Sequence, residues 1–289
     1  MKSILSVPAL LALALIVLAP KSEAQQPTPT SAPSGPSAEG QKLMAEFMKL
    51  PEEQRIDFNK KVRLAQKLYQ EKRMFDALQV IDELDKISKD HPACLSLRAG
   101  CYVEMRAFDK AYALFERIQK LTPQSTNILF NLAELEFVTR KWEMAHERFN
   151  KLLPLLPKSN NSLKHLVELK LLLCKLKTNR VEEARAMQNK YGEWDDTPYY
   201  YYARAAIFYH DGNDEAAKKT LRNALFIWRN PAELSSWQDT MIEFGFVRSF
   251  YGESQSDVDT VNPTSADIAP SELAPDTPRI APVIPLDTE

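Results

Sequence analysis

The sequence predicts an all-α fold, a right-handed α-solenoid of about five helix-turn-helix repeats with flanking helices and disordered ends. Three observations lead there. Only 7 glycines occur in 289 residues, against a common usage of about 7%, which disfavours glycine-rich phosphate loops, turn-dense β-sandwiches and dinucleotide-binding sheets. Between the ends of the chain, apolar residues recur almost without interruption at helical spacing. That pattern is itself periodic: Ala77, Ala111 and Ala145 stand 34 residues apart, each followed four residues on by Ile81, Phe115 or Phe149 and three later by Leu84, Ile118 or Leu152. With 44% apolar residues the chain can bury a sizeable core. Its 37 basic and 39 acidic side chains leave a net charge of −2, so there is no overall basic field to attract nucleic acid.

Taken in order, residues 1–24 read as a signal peptide. Lys2 precedes a 16-residue apolar run from Ile4 to Ala19, and Ser22-Glu23-Ala24 closes it with small residues, so cleavage is expected after Ala24 and the chain is expected to be exported to a periplasm or the cell exterior. The run is shorter than the roughly 20 residues of a spanning helix, and Pro8 interrupts it. A retained anchor is the alternative; once the signal is removed, no stable membrane span is expected. Residues 25–40 hold four prolines among serine, threonine and alanine and read as a disordered linker. Residues 41–57 carry Leu43, Met44, Phe47 and Met48 at helical spacing before Pro51 and read as an N-terminal cap on the first repeat, with docking elsewhere as the alternative.

Residues 58–230 hold the repeats. Repeat two is the clearest: Leu95, Ala99, Tyr102, Ala111, Phe115, Ile118 and Pro123. Repeat three supplies Leu129, Leu132, Ala133, Ala145, Phe149, Leu152 and Pro157, with Glu136 where an aromatic is expected. The fourth is weaker, its Ala184 lying 39 residues after Ala145 and Lys175 standing at the aromatic position. The fifth returns with Ala205, Phe208, Gly212, Ala217, Leu221 and Ala224. These residues resemble the tetratricopeptide repeat. The resemblance implies helix pairs A and B that approach closely where small side chains meet, stacked so that the A helices line a concave groove.

Thr197-Pro198 and Asn230-Pro231-Ala232-Glu233 mark helix starts. Residues 231–250 form a C-terminal capping helix with Leu234, Trp237, Met241 and Phe244 on one face, expected to seal the exposed end of repeat five. From residue 251 to 289 the chain has six prolines, and eight acids against Arg279, and reads as an acidic disordered tail. Subtracting its −7 and the +1 of the signal from −2 leaves +4 for residues 25–250, so charge permits an intramolecular contact with the tail.

No catalytic or metal-binding pattern appears, and neither an enzymatic activity nor a cofactor is expected. The histidines His91, His146, His165 and His210 are scattered, and no nucleophile elbow, phosphate loop or kinase signature occurs. Cys94 and Cys101 lie seven residues apart on one helix, too far to bridge, and with Cys174 read as buried apolar side chains.

The function that follows from the resemblance is a protein-interaction scaffold of the cell envelope, binding a peptide or partner helix in the groove; self-association into an envelope assembly is the alternative. The family's groove positions select Tyr69 in repeat one, Phe130, Glu134 and Phe137 in repeat three, and Tyr199, Tyr202, Tyr209 and His210 in repeat five as partner-binding residues. Phe130 and Phe137 are two turns apart and occupy no core position of the repeat, so they are expected to offer rings to a partner. The carboxylate clamp of chaperone adaptors is missing, since Val62, Gln66 and Leu97 stand at its positions.

Overall fold

The structure, a computed structural model, describes residues 35–157 and 159–250 and the backbone of 259–260. The segment read as a signal peptide, residues 25–34 of the stretch read as a linker and nearly all of the stretch read as an acidic tail lie outside the described residues. Five helical hairpins follow one another. They pair α2 (Glu52–Gln70) with α3 (Met74–Ile87), α4 (Pro92–Glu104) with α5 (Phe108–Leu121), and α6 (Thr126–Val138) with α7 (Trp142–Leu152). The last two pair α8 (Asn161–Lys177) with α9 (Val181–Gln188) and α10 (Tyr199–His210) with α11 (Asp214–Ile227). Before them lies α1 (Ala38–Met48) and after them α12 (Pro231–Phe244), then a short strand β1 (Val247–Ser249) paired antiparallel with β2 (Asp259–Thr260).

Why each hairpin folds back is visible at its turn. The residue that ends helix A sits in the left-handed region in all five repeats: Lys72, Arg106, Arg140, Asn179 and Gly212, with φ between 57° and 75°. The amide next along donates to a carbonyl five residues earlier (Arg73 to Leu68, Ala107 to Tyr102, Lys141 to Glu136, Arg180 to Lys175, Asn213 to Phe208) at 2.8–2.9 Å. This closure satisfies orphan carbonyls and reverses the chain. The turns keep the spacing of the alanines, 39 residues between repeats three and four included. Inside each hairpin of repeats two, three and five, Ala99 and Ala111, Ala133 and Ala145, and Ala205 and Ala217 are fully buried.

The A helices of neighbouring repeats also touch, α2 on α4 and α8 on α10, and form the inner row. Cys94, Cys101 and Cys174 are buried free thiols whose pKa values burial pushes up to about 12, 11 and 12, which suits their reading as packing groups. The two substituted aromatic positions are filled by ion pairs between helices A and B. Glu136 accepts from Arg148 of α7 at 2.7–3.0 Å and from the Tyr112 hydroxyl at 3.0 Å, and Lys175 pairs with Glu183 of α9.

The flanking helices differ from expectation. α1 begins at Ala38, inside the stretch read as linker, because Ser37 caps it by accepting from the Gly40 amide at 3.2 Å. It does not close the end of repeat one; it straps the edge of the first two repeats. The Ser37 amide donates to the Leu121 carbonyl of α5, Glu39 pairs with Arg117, and Phe47 packs on Phe58 and His91. Gly40 allows the contact, since a Cβ there would stand 2.5 Å from the Leu121 oxygen. α12 begins as read, Asn230 accepting from the Ala232 amide at 3.2 Å, yet it does not seal repeat five. It turns back along the inner row and lies on α6, α8 and α10.

Candidate functional site: the concave groove

The inner row supplies the groove, and α12 fills its C-terminal part. Its apolar face, Leu234, Trp237, Met241 and Phe244, is buried. Trp237 packs on Tyr202 of α10 with ring centroids 5.7 Å apart, and two turns later Phe244 stacks on Phe137 of α6 at 6.2 Å. Beyond Gly245, whose positive φ of 93° ends the helix, Phe246 stacks on Tyr209 at 5.2 Å.

Between these ring contacts lies a buried charge cluster. The Lys170 ammonium of α8 stands 3.0 Å from Glu134 of α6 and 3.0 Å from Glu243 of α12, and all three side chains are at most 3% exposed. The ammonium also sits 4.5 Å over the Phe137 ring. Two carboxylates share one cation: Glu243 accepts a hydrogen bond from it through one oxygen and leaves the other unsatisfied, and neither oxygen of Glu134 has a hydrogen-bond partner. Burial, outweighing the pull of Lys170 and joined by Glu134, pushes Glu243 up to about 7. Burial likewise raises Glu134, while the two carboxylates together overcome burial and lift Lys170 to about 12.

The residues selected as partner contacts therefore fall into two groups. Phe130, Glu134, Phe137, Tyr199, Tyr202 and Tyr209 are buried, which overturns the expectation that they face an open groove. For Glu134, Phe137, Tyr202 and Tyr209 the reason is the chain's own C-terminal segment, packed on them or on their ion-pair partner. For Phe130 it is Phe149 of α7, 6.5 Å away, and the core around it. Tyr199 turns toward α9 of the preceding repeat, where its hydroxyl donates to the Met187 carbonyl at 2.8 Å. Tyr69, half-buried, rests on Gly100, and His210 is exposed. Sequence reasoning missed Lys170, Glu243 and the ring partners on α12. The available signal was Glu168 and Lys170 within the leucine-rich α8, since charges inside an apolar helix need buried partners. Glu168 has them too, accepting from Lys190 at 2.8 Å and from the Tyr191 hydroxyl at 2.9 Å.

A cleft of about 510 Å³ opens beside the groove, between the start of α8, the linker before α10 and the start of α12, with Tyr191, Trp228 and Trp237 among its walls. Among the described residues no group of three His, Cys, Asp or Glu is placed to hold a metal ion, and no helix is long and apolar enough to cross a membrane.

No protein-family model matches the chain, and no curated protein matches it. Among solved structures it is similar to the crystal structure of YrrB, described as a TPR protein with an unusual peptide-binding site. The identity is 17% and the TM-score 0.46, over 65% of this chain and 94% of that one.

Proposed function

We propose that this tetratricopeptide-like solenoid is a non-catalytic interaction scaffold whose concave face receives an amphipathic helix, and that over repeats three to five it holds the chain's own α12. The seating of α12 carries the reading. Rings at Trp237 and Phe244, seven residues and so two turns apart, meet Tyr202 and Phe137, which is how a groove reads one face of a helix. The inner surface of repeats one and two, where Tyr69 lies on Gly100, extends the same face. Export to the cell envelope after cleavage at Ala24 belongs to the reading, supported by the apolar run from Ile4 to Ala19 and the small residues that close it. The partner is accordingly a protein or peptide of that compartment.

A labelled peptide of residues 230–250 tests the groove. In the full chain carrying Trp237→Ala and Phe244→Ala, which loosen the resident helix, the peptide is expected to bind at least about tenfold more tightly than to the unaltered chain. A variant that keeps its helical circular dichroism and ignores the peptide would overturn the proposal. A second copy of the chain is the alternative partner, favoured by the short link, residues 228–230, between α11 and a helix that packs elsewhere. Light scattering separates the two, because exchange of α12 between copies gives a dimer and seating within one chain a monomer.

A further inference from the structure

The turns between helices A and B form one edge of the solenoid, and in repeats two to four that edge gathers cations. Arg106, Lys110, Arg140, Lys141 and Lys177 are all exposed there, and among the described residues none has a carboxylate within ion-pair distance. Four of them lie over aromatic rings instead: Arg106 over Phe108, Lys110 over Tyr102, Lys141 over Tyr112 and Lys177 over Phe244, at 4.9–5.4 Å. A ring face holds a cation in place without neutralising it. Nearby carboxylates are committed elsewhere, Glu104 to Lys72, Glu143 to Arg180 and Glu183 to Lys175, and Asp109 stands at the N-terminus of α5. Arg106 and Arg140 moreover occupy the left-handed turn position that repeats four and five give to Asn179 and Gly212, residues that adopt it with less strain.

The acidic end of the chain leaves the body at this same edge. Phe244 lies under Lys177 and 5.3 Å from Trp142, which follows Arg140 and Lys141, and Phe246 packs on Phe244. β1 comes next, and the pairing of Val247 with Thr260 and Ser249 with Asp259 fixes the point from which the last 29 residues start. At coil dimensions 29 residues reach about 30 Å, and packed helices stand about 10 Å apart, so the turns of repeats four, three and two are all within range.

We propose that the acidic C-terminal segment of this chain docks on the cationic turn edge of repeats two to four, with Arg106, Arg140, Lys141 and Lys177 meeting its carboxylates. The match is one of charge: beyond Tyr251 the chain carries eight acids, five of them in its last 29 residues, against the single Arg279, and the edge carries five cations that have no carboxylate partner among the described residues. The pKa of Lys177 is lowered first by partial burial of its side chain and then by the neighbouring Arg140, and the second cause agrees with an edge short of negative charge.

A spin label on the full chain at Thr288→Cys tests this, since the three native thiols are buried. In about 20 mM salt the amide signals of the turns at Arg106, Arg140 and Lys177 should lose intensity about twofold, while the opposite edge, at Ser88 and Thr122, keeps its own. In about 0.5 M salt, or with Arg106→Gln, Arg140→Gln and Lys141→Gln combined, the loss should disappear. Equal broadening on both edges, or broadening indifferent to salt and to the three substitutions, overturns the proposal. So does a label that leaves the turns untouched at low salt while anionic phosphatidylglycerol vesicles shift them, because the edge would then face a lipid surface.

Discussion

Where repeats two and five place the rings of Tyr102 and Phe208, Glu136 carries a fully buried carboxylate, and the fork of Arg148 together with the Tyr112 hydroxyl makes it tolerable. Removing one partner strands the other charge, so Arg148→Met should cost about 3 kcal/mol. Placing a ring there, as in repeats two and five, with Glu136→Phe in the same chain should recover most of that loss in urea denaturation. If the single variant unfolds at the same urea concentration as the unaltered chain, the pair carries no such role. At this scale the alanines were legible in the sequence because close packing admits only small side chains, and period alone locates them. The burial of Phe137, Tyr202 and Tyr209 was not. Spacing tells which way a side chain points on its own helix, and says nothing about a segment far along the chain that comes to cover it.

For α12 the apolar face and the Asn230 cap are legible in the sequence and the destination is not, since sealing the end of repeat five and filling the groove demand the same stripe of residues. The discriminating feature is polar. A terminal seal has no use for Glu243 beside Phe244, whereas the groove offers it Lys170. The pairing is imperfect, two carboxylates to one ammonium, and its pH dependence has a definite sign. Glu243 titrates near 7 when seated, above its ordinary 4.5, so its contribution is complete at acid pH and is lost as pH rises through about 7. His91, His146 and His165 are all pushed down by burial, so charging them opposes folding only below their ordinary 6.5, and the window from about 6.5 to 8.5 isolates the glutamate cluster. Across it the unaltered chain should lose melting temperature, while Glu243→Gln should lose less and be more stable at pH 8.5 by about 1 kcal/mol. Identical slopes in the two proteins would show that Glu243 keeps its charge in the groove.

Repeat solenoids hold together through nearest neighbours, and their stability is approximately a sum over repeats and interfaces. Here the flanking helices add longer-range links. α1 bonds to the end of α5 while Phe47 reaches Phe58 of α2, and α12 touches α6, α8 and α10, members of three successive repeats. The core divides accordingly. Residues from α6 to β1 form one continuous cluster, Phe47 and the residues of α2 and α3 belong to another that ends within α4, and a third joins Ala99 of α4 and Phe115 of α5 to Ile128, Leu132 and Leu135 of α6. Periodicity made the repeats legible but not this division, because contacts that skip a repeat leave no mark at a spacing of 34. The consequence is a molecule that opens in three cooperative blocks rather than fraying hairpin by hairpin. Hydrogen exchange read by mass spectrometry should show α6, α8, α10 and α12 sharing one opening free energy. Trp237→Ala should lower protection in all four together, by about 2–4 kcal/mol, and leave α2 and α3 unchanged. Loss confined to α10 and α12, the two helices whose rings Trp237 and Tyr202 join, would mean that α12 rests on each repeat separately and does not couple them.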